Sequence, residues 1–236
     1  MHDVIGARAV IEAARGRVAL TEDDAKTVLQ CFGVNVPRRA VIPFGASAAP
    51  VASGFTGTLA LKVVAPSILH KSDVGGVRLG LAPAALPAEI DAMSARLAGH
   101  AIEGWLVEEM VPAGTEIVIG GSIDARFGPT IMVGLGGVMV ELFEDVCFGI
   151  CPIRRGEAAR MLDTLRAAAL LRGWRGAPAA DEAALIETML RVGGEGGLLP
   201  ALSDLIAALD INPLIVSAHG VTAVDARIVL RDADAH

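Results

Sequence analysis

The stretch Leu61–Leu81, LKVVAPSILHKSDVGGVRLGL, carries most of what the sequence of this 236-residue chain predicts. Two apolar runs of strand length flank a polar loop that contains a histidine, His70, and a double glycine, Gly75 and Gly76. Glycine lets backbone N–H groups approach a phosphate closely, and a lysine such as Lys62 supplies a point charge to it. The stretch therefore predicts a strand, a phosphate-binding loop and a second strand.

Lys62 and His70 each allow two interpretations when they are taken alone. A lysine in an apolar strand is costly to bury unless it is paired, so Lys62 is either an edge residue whose ammonium reaches water or a phosphate ligand. A lone histidine is commonly structural or exposed, but a neutral imidazole is also a good nucleophile near neutral pH. Because the glycine-containing loop follows so closely, we expect Lys62 to bind phosphate and His70 to be able to carry a phosphoryl group.

The composition excludes several classes of protein. Hydrophobic residues make up 53% of the chain, aromatic residues only 3%, and tyrosine is absent, which predicts a globular protein without a stacking platform for single-stranded nucleic acid. The net charge of −7 gives no basic field for nucleic acid or an anionic membrane. No apolar run approaches the ~18 residues of a membrane span, and no secretion signal is present. We therefore expect a cytoplasmic protein with no nucleic-acid or membrane partner.

The three cysteines fit the same compartment. Cys31, Cys147 and Cys151 contain no Cys-x-x-Cys pair. Cys147 and Cys151 could be two metal ligands, but no matching cluster of histidine or cysteine accompanies them, so buried free thiols in a reducing compartment are preferred.

Periodicity along the chain predicts an α+β protein with two lobes that meet at a hinge near residues 109–113. Thr21 and Asp24 resemble a capping box that starts a helix ending at Gly33. Residues 46–57 read as a loop. The other predicted helices cover residues 86–97, 157–171, 182–192 and 200–209. The predicted strands cover residues 59–64, 77–81, 104–111, 115–123, 130–133, 138–143, 210–216 and 221–225.

Acidic residues cluster around the predicted hinge. Glu108, Glu109 and Glu116 are either surface carboxylates or part of a nucleotide site. In the second case, the extended segment 108–111 would offer backbone groups to a base edge, and Glu116 would hold a ribose hydroxyl. The glycines at 134, 136 and 137 do not match the dinucleotide fingerprint, and no GxxxxGK[ST] motif exists, which excludes the P-loop class. These glycines still suit a loop that another backbone or a phosphoryl group approaches closely.

The last predicted hairpin, DINPLIVSAHGVTAVDARI, carries hard oxygen donors on neighbouring strands. Asp210, Asn212 and Asp225 are separated by the turn at His219 and Gly220. Few protein oxygens together with substrate phosphates suit Mg²⁺, although an Asn-Pro turn with flanking acids is commonly structural.

Three blocks of the sequence together resemble a known family. ALKVVAPSILHKSDVGGVRLGL, VEEMVPAGTEIVIGGSIDARFGPTIMVGLGGVMVELFEDV and DINPLIV with AVDARI are similar to the ATP-grasp β subunit of ADP-forming acyl-CoA synthetases, in particular ADP-forming acetyl-CoA synthetase, and more distantly to succinyl-CoA synthetase. The similarity covers about residues 18 to 230. It implies a single ATP-grasp domain over residues 1–236, with residues 18–110 as the first lobe, 111–230 as the second, and the nucleotide site between them.

The resemblance also implies a role for individual residues. His70 matches a histidine that is transiently phosphorylated, and Lys62 matches the lysine that contacts the nucleotide phosphates. Ala208 stands where family members often carry an acid. Gly75, Gly76 and Val77 match the phosphate-covering loop, Glu108 and Val111 the adenine hinge, Glu116 the ribose-binding acid, and Asn212 and Asp225 the two Mg²⁺ ligands.

The implied function is a phosphoryl relay that uses ATP or ADP and Mg²⁺. A CoA-binding α subunit, expected in a heterotetramer, would form an acyl phosphate and pass its phosphoryl group through a histidine to His70, from which Mg·ADP receives it. The acyl group would be selected in that partner subunit. Two alternatives stay open at this point: an ATP-grasp carboxylate ligase of another branch, and a non-catalytic ATP-binding regulatory module.

Overall fold

The computed structural model describes residues 2–68, 70–136, 145–166, 168–173 and 178–231. The predicted strand at 138–143 and the glycine at 137 lie outside these residues. The helices are α1 (Val4–Ala13), α2 (Glu22–Cys31), α3 (Ala49–Ala52), α4 (Leu86–Arg96), α5 (Arg155–Thr164), α6 (Ala168–Leu171), α7 (Glu182–Gly193) and α8 (Leu198–Ala201). The strands are β1 (Arg39–Pro43), β2 (Leu59–Val64), β3 (Val77–Leu81), β4 (Gly104–Glu109), β5 (Thr115–Asp124), β6 (Gly128–Leu135), β7 (Val146–Ile150), β8 (Ile206–Ser217), β9 (Gly220–Ala223) and β10 (Arg227–Leu230).

The chain divides into two compact units. Residues 37–111 form the central unit, and residues 1–36 together with 112–236 form the terminal unit. Each contains helices and a sheet, so the predicted α+β class is confirmed. In the part of the chain that the structure describes, no helix combines the length and the apolar character needed to cross a membrane.

The central unit is an antiparallel sheet in the order β1-β4-β2-β3. Residues that pair directly across antiparallel strands lie on the same face, and Leu61 and Val63 of β2 pair with Val107 and Trp105 of β4. These four side chains are buried in an apolar core to which α4 also contributes. The strands over 59–64 and 77–81 have the bounds that the sequence predicts, because short apolar runs between turn-forming residues are a local property.

The terminal unit contains a sheet in the order β10-β8-β5-β6-β7, with β9 also paired to β8. Its core joins the apolar face of α2, with Ala25, Val28, Leu29 and Phe32, to one face of the sheet. The expected lobe boundaries therefore need correction, because residues 18–36 belong with 112–236 rather than with the strands that follow them. The apolar stripe of α2 determines this grouping, since it must be buried against a complementary face.

The start of α2 follows the predicted cap, but several predicted segments differ. The strand predicted over 221–225 ends at Ala223, so Asp225 lies outside it. Thr21 accepts a hydrogen bond from Asp24 N–H at 3.2 Å, so the predicted start of α2 is confirmed. The predicted loop at 46–57 contains the short helix α3, and the predicted helix over 157–171 is two helices, α5 and α6. The predicted helix over 200–209 is wrong beyond α8, because β8 begins at Ile206 and pairs with β10. Long-range strand pairing here outweighs local helix preference.

Candidate functional site

Lys62 is one half of a buried ion pair. Its Nζ lies 2.9 Å from Oε2 of Glu108, and the two side chains are 6% and 1% exposed. Lys62 pairs with Leu106 and Glu108 pairs with Ala60, so both side chains lie on the sheet face opposite the apolar core. The interpretation of Lys62 as an edge residue that reaches water is therefore wrong. A buried lysine held in one orientation by a carboxylate is a prearranged cation.

The predicted phosphate-binding loop joins β2 to β3 and carries His70 on its exposed side. Lys71 and Gly76 close the loop, since Gly76 N–H donates to the Lys71 carbonyl oxygen at 2.7 Å. Val63 N–H then donates to the Gly76 carbonyl oxygen at 2.8 Å, which ties the end of the loop to β2. His70 therefore lies just before a turn that these hydrogen bonds hold in place. Its side chain is exposed, so another protein or a substrate can reach the imidazole.

The two glycines of the loop are required for two different structural reasons. Gly75 has a φ of +67°, a backbone region that glycine adopts without strain. A Cβ on Gly76 would lie 2.7 Å from Cγ1 of Val63 and 3.0 Å from the Lys71 carbonyl oxygen, so a side chain has no room there. The turn thus depends on both glycines. Val77, which follows them, pairs directly with Lys62, and so the end of the loop meets the buried lysine.

The two predicted hinge residues differ in what their backbone does. Glu108 lies inside β4 between its partners Arg39 and Ala60, and its side chain engages Lys62. Met110 N–H donates to the Thr58 carbonyl oxygen at 2.9 Å. Val111 follows the strand, and its N–H makes no hydrogen bond with any residue that the structure describes. Of the two, Val111 is better placed to offer a backbone donor to a base edge.

Glu116 is an exposed residue near the start of β5 in the terminal unit. Its neighbour Ile117 is in the core, so the Glu116 side chain lies on the other face of the sheet. Gly136 N–H donates to the Glu116 carbonyl oxygen at 2.8 Å, and a Cβ on Gly136 would come within 2.7 Å of Ile117 backbone. This part of the glycine cluster therefore admits a backbone rather than a phosphoryl group.

Asn212 and Asp225 are adjacent in the terminal unit. Asn212 N–H donates to the Asp225 carbonyl oxygen at 3.2 Å, and Val224 N–H donates to the Pro213 carbonyl oxygen at 3.0 Å. These bonds lie where β8 faces the three-residue connection between β9 and β10. The terminal unit thus brings the two predicted metal ligands together where the connection between β9 and β10 runs beside β8.

The side chains of Asn212 and Asp225 form a donor set that suits Mg²⁺. An amide oxygen and a carboxylate are hard ligands, and Mg²⁺ keeps several waters or phosphate oxygens besides one or two protein ligands. Within the described ranges, no group of three or more His, Cys, Asp or Glu residues is placed to hold a metal ion. Asp210, the third predicted oxygen donor, is an exposed residue of β8 that pairs with Arg227 of β10.

The cysteines take no part in a metal site of the described residues. Cys31, Cys147 and Cys151 are free thiols. Cys151 is buried, and that burial raises the pKa of its thiol to about 11. A protonated, buried thiol is inert, so the predicted buried thiol is confirmed for Cys151, whereas Cys31 and Cys147 are only partly buried.

The sequence interpretation missed the partner of Lys62. The pattern GWLVEE contained a sign of it, because Glu108 directly follows the apolar residues of a strand, where a buried acid needs a cation. Only the register between β2 and β4 shows that the cation is Lys62.

Comparison with known proteins places these features in context. The sequence profile of the ATP-grasp domain matches residues 12–230. The chain is 36% identical over 225 residues to the protein named acetate–CoA ligase (ADP-forming) II subunit beta of Pyrococcus furiosus, covering 92% of this chain and 94% of that protein. It is 37% identical over 207 residues to acetate–CoA ligase (ADP-forming) I of Archaeoglobus fulgidus, where 86% of this chain matches 30% of a longer protein.

A solved structure is similar to this chain in its three-dimensional fold. The acetyl-coenzyme A synthetase 1 of Ca. Korarchaeum cryptofilum is 33% identical and superposes with a TM-score of 0.83, covering 95% of this chain and 100% of the other. That structure is a complex with coenzyme A and Mg-AMPPCP, and its phosphohistidine segment points towards the nucleotide binding site.

Proposed function

Since this chain belongs to the ATP-grasp family and is related to the β subunits of ADP-forming acetate–CoA ligases, we propose that it is the nucleotide-binding β subunit of an ADP-forming acyl-CoA synthetase. It is an acid–CoA ligase component whose reaction is acyl-CoA + ADP + phosphate = acid + CoA + ATP. The observation that carries the proposal is the exposed His70 on the β2–β3 loop, whose two strands place Lys62 and Val77 opposite each other. A phosphoryl carrier and a phosphate-binding cation are thereby parts of one loop and its two strands.

His70 supplies the nucleophile of the relay. In the direction of ATP synthesis, a phosphohistidine of the partner gives up its phosphoryl group as its N–P bond breaks and a new N–P bond forms at the imidazole of His70. That bond then breaks as an oxygen of the ADP β-phosphate takes the phosphorus, which leaves a neutral imidazole and ATP. The chain's task is to position these groups and to stabilise their charge.

Lys62 supplies an ammonium group that donates to the nucleotide phosphates. Its ammonium is already oriented by Glu108, so little rearrangement is needed when charge moves between oxygens. Val111 offers a backbone N–H to the base, and Glu116 offers an exposed carboxylate to the ribose hydroxyls. The Gly75 and Gly76 N–H groups are used inside the turn, where they donate to the Ser72 and Lys71 carbonyl oxygens, so it is the loop as a whole that covers the transferred group.

Asn212 and Asp225 provide oxygen ligands for Mg²⁺. When bound, Mg²⁺ neutralises negative charge on the nucleotide phosphates. The protein's own contribution is to hold one amide and one carboxylate side by side, which the hydrogen bond from Asn212 N–H to the Asp225 carbonyl oxygen supports.

The partner is a CoA-binding α subunit, and we propose a heterotetramer. Support comes from the related proteins, because the P. furiosus relative is named a subunit whereas the A. fulgidus relative is about three times as long as the matched segment. The acyl-CoA chemistry then lies in that partner. The free thiols of the chain suit the cytoplasm, where we place the enzyme.

Transfer of the γ-phosphoryl group from radiolabelled Mg·ATP tests the proposal. We expect the purified chain to acquire a label that is labile in acid and stable in base, and we expect His70→Asn to remove it. His219→Asn is the matched control, since His219 is also exposed but lies in the turn between β8 and β9. The proposal fails if the label persists in His70→Asn.

The same experiment separates the two alternatives. A carboxylate ligase of another branch forms an acyl phosphate, so added hydroxylamine would trap a hydroxamate and His70→Asn would retain turnover. A regulatory module would bind ATP but would not become labelled, whether or not an extract that contains the partner subunit is added. Neither outcome is expected.

A further inference from the structure

Lys26 is a fully buried lysine outside the residues assigned to the nucleotide. Its side chain is 0% exposed, and that of its partner Glu22, one helical turn earlier on α2, is 2% exposed. The Nζ atom donates to Oε1 of Glu22 at 2.8 Å. A buried ion pair is costly to form from water, so its presence calls for a contact that an apolar pair could not make.

The contact reaches the strand connection that holds the predicted Mg²⁺ ligands. Lys26 Nζ also donates to the Val224 carbonyl oxygen at 2.7 Å, although the two residues are 198 positions apart in the sequence. Val224 directly precedes Asp225. Its N–H donates to the Pro213 carbonyl oxygen, and Asn212 N–H donates to the Asp225 carbonyl oxygen. One lysine thereby anchors the peptide between two strands at the point where the ligands meet.

The geometry assigns Lys26 as a positioning residue for the Mg²⁺ ligands Asn212 and Asp225, with Glu22 holding its ammonium in place. The inference rests on the proposed function, since it concerns the metal of that site. Val224 to Ala226 belong to no strand, so this connection lacks the regular ladder that fixes β9 and β10 on either side. A charged donor makes a stronger hydrogen bond to a carbonyl oxygen than a neutral donor does, and the Lys26 side chain that supplies it here is buried.

Glu22 has a second role in this arrangement. A lone ammonium near a divalent-cation site would repel the cation, whereas the carboxylate of Glu22 neutralises the ammonium charge at 2.8 Å. The pair therefore offers a strong hydrogen-bond donor without a net positive charge. An apolar pair of the same size would fill the space but leave the Val224 carbonyl oxygen without this donor.

A double variant tests the inference without leaving a buried charge unpaired. Glu22→Gln with Lys26→Met removes both charges and keeps the helix and its volume. The matched control is Arg8→Met with Asp204→Asn, because Arg8 also bridges a carboxylate and a carbonyl oxygen, those of Asp204 and Ala201. Circular dichroism checks that both proteins are folded.

The first measurement is the affinity of the full chain for ADP, by calorimetry, with Mg²⁺ and with EDTA. In the wild type and the control, Mg²⁺ should raise the affinity for ADP. In the Glu22→Gln, Lys26→Met protein, we expect this gain to be roughly 10–100-fold smaller, as for other groups that orient metal ligands, with the affinity in EDTA unchanged. A merely structural role would lower both affinities together.

The second measurement is hydrogen exchange at the Asn212 and Val224 amides. Both should exchange faster in the double variant than in the wild type and the control, with or without nucleotide. Unchanged exchange together with an unchanged Mg²⁺ gain overturns the inference while leaving the proposed function intact. If Mg²⁺ gives no gain even in the wild type, the metal site is wrong and the inference falls with it. If the double variant does not fold, Glu22→Gln with Lys26→Gln takes its place, because it keeps an N–H donor at position 26. Its Mg²⁺-dependent gain in ADP affinity and its amide exchange rates should then lie between those of the wild type and those expected for the double variant.

Discussion

Removing the carboxylate that faces Lys62 is the sharpest test of the central unit. In Glu108→Gln, a neutral amide replaces the partner of an ammonium that is 6% exposed. Breaking a buried pair by removing one partner leaves an uncompensated charge, which typically costs about 3–5 kcal/mol. Taking about 3 kcal/mol, since the amide oxygen can still accept a hydrogen bond, we expect a fall in Tm of about 6–12 °C for a chain of this length.

The matched control lies one residue along the same strand. Glu109 pairs with Arg38 at 3.4 Å, but these side chains are 34% and 60% exposed. Exposed pairs are worth roughly 0–1 kcal/mol, so Glu109→Gln should change the free energy of unfolding by no more than that. Differential scanning calorimetry and urea unfolding measure both variants.

A second replacement separates stability from nucleotide binding. Adding Lys62→Met to Glu108→Leu removes both charges, and apolar replacement of a whole buried pair is often neutral or stabilising. This double variant should therefore recover most of the lost stability and yet bind Mg·ADP weakly. The reasoning is refuted if Glu108→Gln unfolds like Glu109→Gln, or if the double variant retains wild-type affinity for the nucleotide.

Three further outcomes are expected. Gly76→Ala should destabilise the chain by about 1–3 kcal/mol, because its Cβ would lie 2.7 Å from Cγ1 of Val63, whereas Gly57→Ala, with no neighbour within 4 Å, should be tolerated in the same urea unfolding experiment. Burial raises the pKa of the Cys151 thiol from 9.0 to about 11, so its contribution to stability is complete below pH 9 and is lost as the pH rises towards 11. Unfolding of the wild type and of Cys151→Ala across that range measures the change, and a stability difference that stays constant with pH would contradict a burial-raised pKa. Asp225→Ala should reduce the affinity for Mg·ADP but not for ADP in EDTA, and calorimetry that finds an equal loss in both conditions would argue against a metal ligand.

Local patterns predicted the elements of the site with good accuracy. The strands on either side of the His70 loop have the predicted bounds, because short apolar runs and the position of glycine are properties of neighbouring residues. The start of α2 at Thr21 is likewise a local matter of capping. The predicted helix over 200–209 failed where the strand β8 begins, because its pairing partners lie elsewhere in the sequence.

The sequence by itself determined which residues could bind phosphate, carry a phosphoryl group and hold a hard cation, since those capacities belong to the side chains of Lys62, His70 and Asp225. Only the tertiary structure decided which groups form ion pairs and hydrogen bonds with these residues or their neighbours. The register of β2 against β4 gave Lys62 its partner Glu108, and the packing of α2 brought Lys26 to the carbonyl oxygen before Asp225. The physical reason is that burial and long-range pairing are set by the whole fold, so a charge that looks solvated in the sequence can be a fixed, desolvated part of a site.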